Sequence, residues 1–139
     1  MIEIERGINA DPGRVWELVS DLENWGRMLP TMQSVTRLGG PGATTVGARF
    51  EVRQPGLPKA VYEITEWRPE HGFTWVASSP GVRTSATHEV ASGDGGTRLA
   101  LGIVWAGPLA GIVRALLGSK ARGMVEQEAD TFARLAEER

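Results

Sequence analysis

The sequence predicts an α+β fold: a curved seven-stranded antiparallel sheet wrapped round a long C-terminal helix, with two short helices after the first strand. Three observations carry this. Between residues 33 and 106, apolar and polar side chains alternate with period two in six segments, the pattern of half-buried strands. The breaks between those segments are short glycine- and proline-rich turns, which favour antiparallel neighbours. Residues 109–137 then return to helical spacing.

Taken in order, residues 2–8 form the first strand, with Ile2, Ile4 and Ile8 apolar and Glu3 and Glu5 polar. Asp11-Pro12 starts a helix: Asp can cap free N–H groups and Pro suits the first helical position. Val15, Leu18, Val19 and Leu22 give that helix one apolar face. A second short helix covers 22–29 and ends at Pro30. Strands are expected at 33–38, 46–54, 60–68, 72–79, 83–92 and 97–106. Between them lie Gly39-Gly40-Pro41-Gly42, Pro55-Gly56-Leu57-Pro58, Glu70-His71-Gly72, Ser79-Pro80-Gly81 and Gly93-Asp94-Gly95-Gly96. In 109–137, Leu117, Ala121, Met124, Phe132 and Leu135 share one face, and Leu109, Val113 and Leu116 lie to one side of it. The mismatch falls at Gly118, a poor residue for a helix interior, so a kink or break is expected at Gly118-Ser119.

Length and charge narrow the function. The chain has 139 residues, about one domain. Its net charge is -2 with no basic stripe, which argues against nucleic acid. There is no cysteine, which removes disulfide and thiolate chemistry and suits a cytoplasmic location. Met1-Ile-Glu-Ile-Glu-Arg lacks the pattern of a signal peptide. The uncharged stretch Leu99–Val113 is shorter than the ~20 residues of a membrane span and is interrupted by Gly107-Pro108. A monomer or homodimer is expected.

Strand parity assigns an inner face. Phe50 and Val52, Tyr62 and Ile64, Phe73, Trp75 and Ala77, Ala86, His88 and Val90, and Leu99, Leu101, Ile103 and Trp105 point inward. The helix opposite these aromatics is poor in bulk at Gly118, Ser119, Ala121 and Gly123. That combination fits close packing, and it equally fits a cavity for a small molecule. The expected lining is Trp25, Phe50, Val52, Tyr62, Ile64, Phe73, Trp75, His88, Trp105, Met124, Glu128 and Phe132. Trp25 would plug one end of the sheet. Trp67 has outward parity, which calls for a bulge or marks an exposed patch.

Two polar residues interrupt the apolar faces. His88 is either a core histidine with one hydrogen bond or a pocket donor and general base. Glu128 falls within the apolar helical stripe, where a carboxylate needs a hydrogen bond or water. Its partner is expected among Tyr62, a Trp indole N–H, His88 and water; the alternative is a stem that snorkels past a loose end of the sheet. His71 sits in a turn. Two distant histidines without cysteine make no zinc site. Phosphate-loop, dinucleotide and nucleophile-elbow motifs are absent from the sequence. No metal or cofactor is expected, and any catalysis would be general acid–base, with His88, Glu128 and Tyr62 as the candidates.

The segments Asp11-Pro12 and Trp16-Glu17-Leu18-Val19-Ser20-Asp21-Leu22-Glu23-Asn24-Trp25, then Val46-Gly47-Ala48-Arg49-Phe50, Tyr62-Glu63-Ile64-Thr65-Glu66-Trp67 and Gly96-Thr97-Arg98-Leu99 resemble the START-like (SRPBCC) superfamily, in its polyketide cyclase/dehydrase branch. The resemblance covers nearly the whole chain and implies a helix-grip fold with a deep pocket for lipids, polyketides or other apolar ligands. Some members cyclise or dehydrate polyketide chains; many only bind and carry; some act as partners of larger proteins. The cyclases place an arginine inside the pocket, whereas Arg49, Arg53 and Arg83 here have outward parity. The expected function is therefore binding of an apolar small molecule (lipid, polyketide or aromatic metabolite). The alternatives are a polyketide cyclase/dehydratase and a protein-interaction module.

Overall fold

The alternating segments form one antiparallel sheet. In the computed structural model, which describes residues 1–138, the strands are β1 (Ile2–Ile8), β2 (Ser34–Arg37), β3 (Arg49–Arg53), β4 (Ala60–Arg68), β5 (Gly72–Ser79), β6 (Val82–Gly93) and β7 (Gly96–Ala106). Their order across the sheet is β1-β7-β6-β5-β4-β3-β2. Six consecutive strands thus form a meander, and β1 closes on the last of them. β1 and β2 are the two edges, so the chain between them must cross from one edge to the other. It does so through α1 (Pro12–Val19), a 3₁₀ turn at Leu22–Asn24 and α2 (Trp25–Met28). The helix-grip architecture is completed by α3 (Ala110–Glu137), which packs against β1, β7 and α1.

Register builds the inner face as rows of side chains. Ile64, Trp75, Ala86, Ile103 and Ile2 are consecutive partners across five strands. Trp67, Phe73, His88, Leu101 and Ile4 form the next row. Trp67 joins that row because the ladder shifts register between Ile64 and Glu66. This bulge absorbs one residue and turns Trp67 inward, onto Trp16 at 5.1 Å and Phe73 at 5.4 Å between ring centroids. The bulge, and not an exposed patch, resolves its parity.

Three expectations require correction. Asp11 occupies the position before α1, but its side chain makes no capping bond; its carbonyl accepts from the Arg14 and Val15 amides. The third strand begins at Arg49, not at 46, because Gly47 takes φ +93° and turns the chain there. The expected break at Gly118-Ser119 does not occur: α3 runs unbroken through it. The mismatch has another cause. Leu109 and Leu116 are 43% and 77% exposed, so those residues belong to no packed stripe. The stripe that faces the sheet is Val113, Leu117, Ala121, Met124 and Glu128, regular at helical spacing.

The core lies toward one end of the sheet. Val15, Val19, Leu22, Trp25, Phe50, Ile64, Phe73, Leu99, Ala129 and Phe132 are all buried there. The second half of α3 covers them, with Val125, Ala129, Phe132, Ala133 and Ala136 buried. The first half stands away from the sheet. Among the described residues, no helix is long and apolar enough to cross a membrane.

Candidate ligand cavity

A cavity of about 320 Å³ lies where α3 stands away from the sheet. That size falls at the lower end of small-molecule sites. One wall is the inner face of the sheet, with Val52, Tyr62, Trp75, Ala77, Ala86, His88, Leu101, Ile103 and Trp105. Ala77 and Ala86 beside Trp75 supply the missing volume. The opposite wall is the α3 stripe from Val113 to Glu128, and Trp25 and Met32 close the inner end. Pro58, Lys59, Ser79 and Lys120 line the cavity and are themselves exposed, so they mark its mouth.

Of the residues expected to line a pocket, Trp25, Val52, Tyr62, Trp75, His88, Trp105, Met124 and Glu128 do so. Phe50, Ile64, Phe73 and Phe132 do not; they are buried in the packed core. Alternation fixes which face a side chain takes, but not its depth along the sheet. These four sit at the end that α3 and Trp25 close. Trp25 lies 5.7 Å from Phe132 and 6.1 Å from Phe73 between ring centroids, and Phe50 lies 6.0 Å from Trp75. Trp25 is accordingly fully buried, and its indole N–H donates to the Leu18 carbonyl at 3.4 Å.

The buried Glu128 carboxylate accepts from the Thr31 hydroxyl at 2.9 Å. Of the side chains expected as its partner, Tyr62, a Trp indole and His88, none fills that role, but the carboxylate does face the cavity. Thr31 lies just past α2, a position no periodicity marks. Burial pushes the Glu128 carboxyl up to about 7, against the lowering effect of the Thr31 bond. Burial also pushes the Tyr62 hydroxyl up to about 12, and the negative charge of Glu128 adds to the push. Tyr62 stacks on Trp75 with ring centroids 4.9 Å apart.

His88 is buried, and its Nδ1 is 3.4 Å from the Phe73 carbonyl oxygen. A carbonyl only accepts, so this bond places the imidazole proton on Nδ1 and leaves the lone pair on Nε2. Burial lowers the His88 pKa to about 4, and the carbonyl bond opposes that shift. Near neutral pH the cavity therefore presents a neutral imidazole, a neutral phenol and a carboxyl close to half-protonation. These groups can orient a polar atom of a ligand without a fixed charge. No arginine lines the cavity among the described residues; Arg49, Arg53 and Arg83 are exposed on the outer side.

Comparison with known proteins agrees with this fold. The family model described as polyketide cyclase / dehydrase and lipid transport matches residues 1–137. No curated protein matches the sequence. A hypothetical protein from Helicobacter pylori superposes with a TM-score of 0.83 at 12% identity, covering 98% of this chain and 87% of that one. The di-domain ARO/CYC StfQ from the steffimycin biosynthetic pathway gives 0.78 at 9% identity, covering 99% of this chain and 50% of that one. A protein from Thermus thermophilus gives 0.75 at 23% identity, covering 96% of this chain and 94% of that one. Likeness at these identities establishes the fold.

Proposed function

The chain belongs to the polyketide cyclase/dehydrase and lipid transport family, and from that premise we propose that it binds an apolar, ring-containing small molecule in the cavity and carries it unchanged. The observation behind this reading is the lining itself: Trp25, Tyr62, Trp75 and Trp105 around a few polar groups. Aromatic faces supply stacking area, and Tyr62, His88 and Glu128 orient the polar atoms of the ligand.

A cyclase or dehydratase is the second reading, favoured by the Glu128 carboxyl near pKa 7. Acid–base catalysis works best when donor and acceptor both titrate near the working pH. His88 at about 4 is a weak base, and Tyr62 at about 12 is a reluctant acid. Glu128 alone is matched, which leaves it without a catalytic partner and favours binding. The interaction-module reading has less support, because Trp67 is packed against Trp16 and Phe73.

Native mass spectrometry of the purified protein tests the carrier reading. A co-purified apolar molecule, released intact and rebound unchanged, is the expected result. A molecule recovered with altered bonds after incubation would overturn the carrier reading in favour of the enzyme.

A further inference from the structure

The chain contains only two lysines, Lys59 and Lys120; its other basic side chains, histidines aside, are arginines. Both lysines line the cavity, and both lie at its mouth. They come from facing elements, Lys59 from the loop between β3 and β4 and Lys120 from α3. The Lys120 Nζ lies directly over Gly56 of that loop, where an added Cβ would collide with it. Among the described residues, Lys120 makes no ion pair. Lys59 has Glu51 at 3.9 Å, and Arg53 holds the same carboxylate at 3.2 Å. The two ammonium groups are therefore little neutralised by the protein.

A lysine suits this place. Its hydrocarbon stem can line an apolar wall while its compact charge stays at the water boundary. Inward from the mouth the lining is aromatic and aliphatic, and its polar groups carry no positive charge near neutrality. The cavity is thus polarised, cationic at the mouth and mainly aromatic and aliphatic within, where Tyr62, His88 and Glu128 are the titratable groups.

We infer that the ligand is an organic anion, a ring system carrying one carboxylate, sulfonate or phosphate group, held with that group between Lys59 and Lys120 and its apolar body inward. This rests on the binding reading above and names the class of ligand within it.

Two dyes with the same aromatic body test the inference: anilinonaphthalene sulfonate, an anion, and phenylnaphthylamine, its neutral counterpart. Each is titrated against the wild type and against a Lys59→Met/Lys120→Met variant, which keeps the apolar stems and removes both charges. The ratio of sulfonate affinity to neutral-dye affinity should fall about tenfold in the variant, as expected for a charged hydrogen bond lost, and should fall in the wild type as salt is added. An unchanged ratio, with both dyes still bound, would overturn the anion inference and leave the cavity reading standing. Failure of the sulfonate alone to bind the wild type would overturn the anion inference, and failure of both dyes would overturn the cavity reading and the inference with it. Undiminished sulfonate binding by an Ala121→Trp variant, whose indole fills the cavity, would place the anion elsewhere and also overturn it.

Discussion

His88 lies face to face on Phe73, with ring centroids 4.1 Å apart and planes within 10°. The pairing of β5 with β6 sets them side by side, and Trp25 covers both. A ring so enclosed is far easier to keep neutral than to protonate. Its folded pKa of about 4 lies below the ordinary 6.5. Its contribution to stability is therefore complete above pH 6.5 and is lost as pH falls toward 4, on the order of 3 kcal/mol in all. In a His88→Phe variant, acidification from pH 7 to pH 5 should cost less stability than in the wild type. Urea unfolding at the two pH values measures the difference.

Glu128 acts in the opposite direction. Its folded pKa of about 7 lies above the ordinary 4.5. Below pH 4.5 both folded and unfolded states hold the proton and no penalty arises. As pH rises toward 7 the unfolded state ionises first, and stability falls by on the order of 3 kcal/mol. Glu128→Gln keeps an acceptor for Thr31 and cannot ionise. It should match the wild type at pH 5 and exceed it at pH 8, with thermal unfolding as the readout. Because His88 and Glu128 titrate over overlapping ranges with opposite signs, the wild type should show little slope from this pair, and each single variant should expose the other's.

Thr31 can be tested through the same carboxyl. Thr31→Val removes the donor and keeps the shape. The Glu128 pKa should rise further, which a carbon-detected NMR titration of the side-chain carboxyl would record. The stability loss should be about 1–3 kcal/mol at pH 8 and smaller at pH 5, where the carboxyl is largely protonated.

The Trp16–Trp67 contact predicts a coupling. Both rings are half-buried and meet only because the bulge turns Trp67 inward. A double-mutant cycle with Trp16→Leu and Trp67→Leu should give about 0.5–1.5 kcal/mol of interaction. Additive losses would mean that the two rings are held separately by the core.

Filling the cavity should abolish binding without unfolding the chain. Ala121 belongs to the α3 stripe along the cavity wall and is incompletely buried, so Ala121→Trp has room for its indole. The expected result is loss of phenylnaphthylamine binding with an unchanged or higher melting temperature.

The strands are legible in the sequence because period-two alternation and glycine turns are local signals, and the structure reproduces their order with small changes at the ends. The inner face is legible for the same reason. Depth is not: Phe73 and Trp75 share a face, yet only Trp75 reaches the cavity, because the packing of α3 decides where the sheet is covered. Continuity at Gly118 is not legible either. Leu109 and Leu116 look like core residues in an apolar sequence, and exposure is not written in residue type. Thr31 and Lys120 meet their partners, Glu128 and Gly56, only through tertiary contact. No spacing along the chain could have named them.

The unbroken course of α3 has a kinetic consequence. Only its second half is anchored by buried side chains, while the turns before Met124 are held mainly by the helix's own hydrogen bonds. Amide exchange should accordingly be slow from Val125 onward and fast from Ala110 to Ala121, reporting local fraying in place of global unfolding. A molecule could reach the interior while the leading turns unwind and the rest of the protein stays intact. Its rate of uptake would then follow the strength of one half-helix, and a substitution that stiffened that segment, such as Gly118→Ala, should slow exchange of both protons and cargo together.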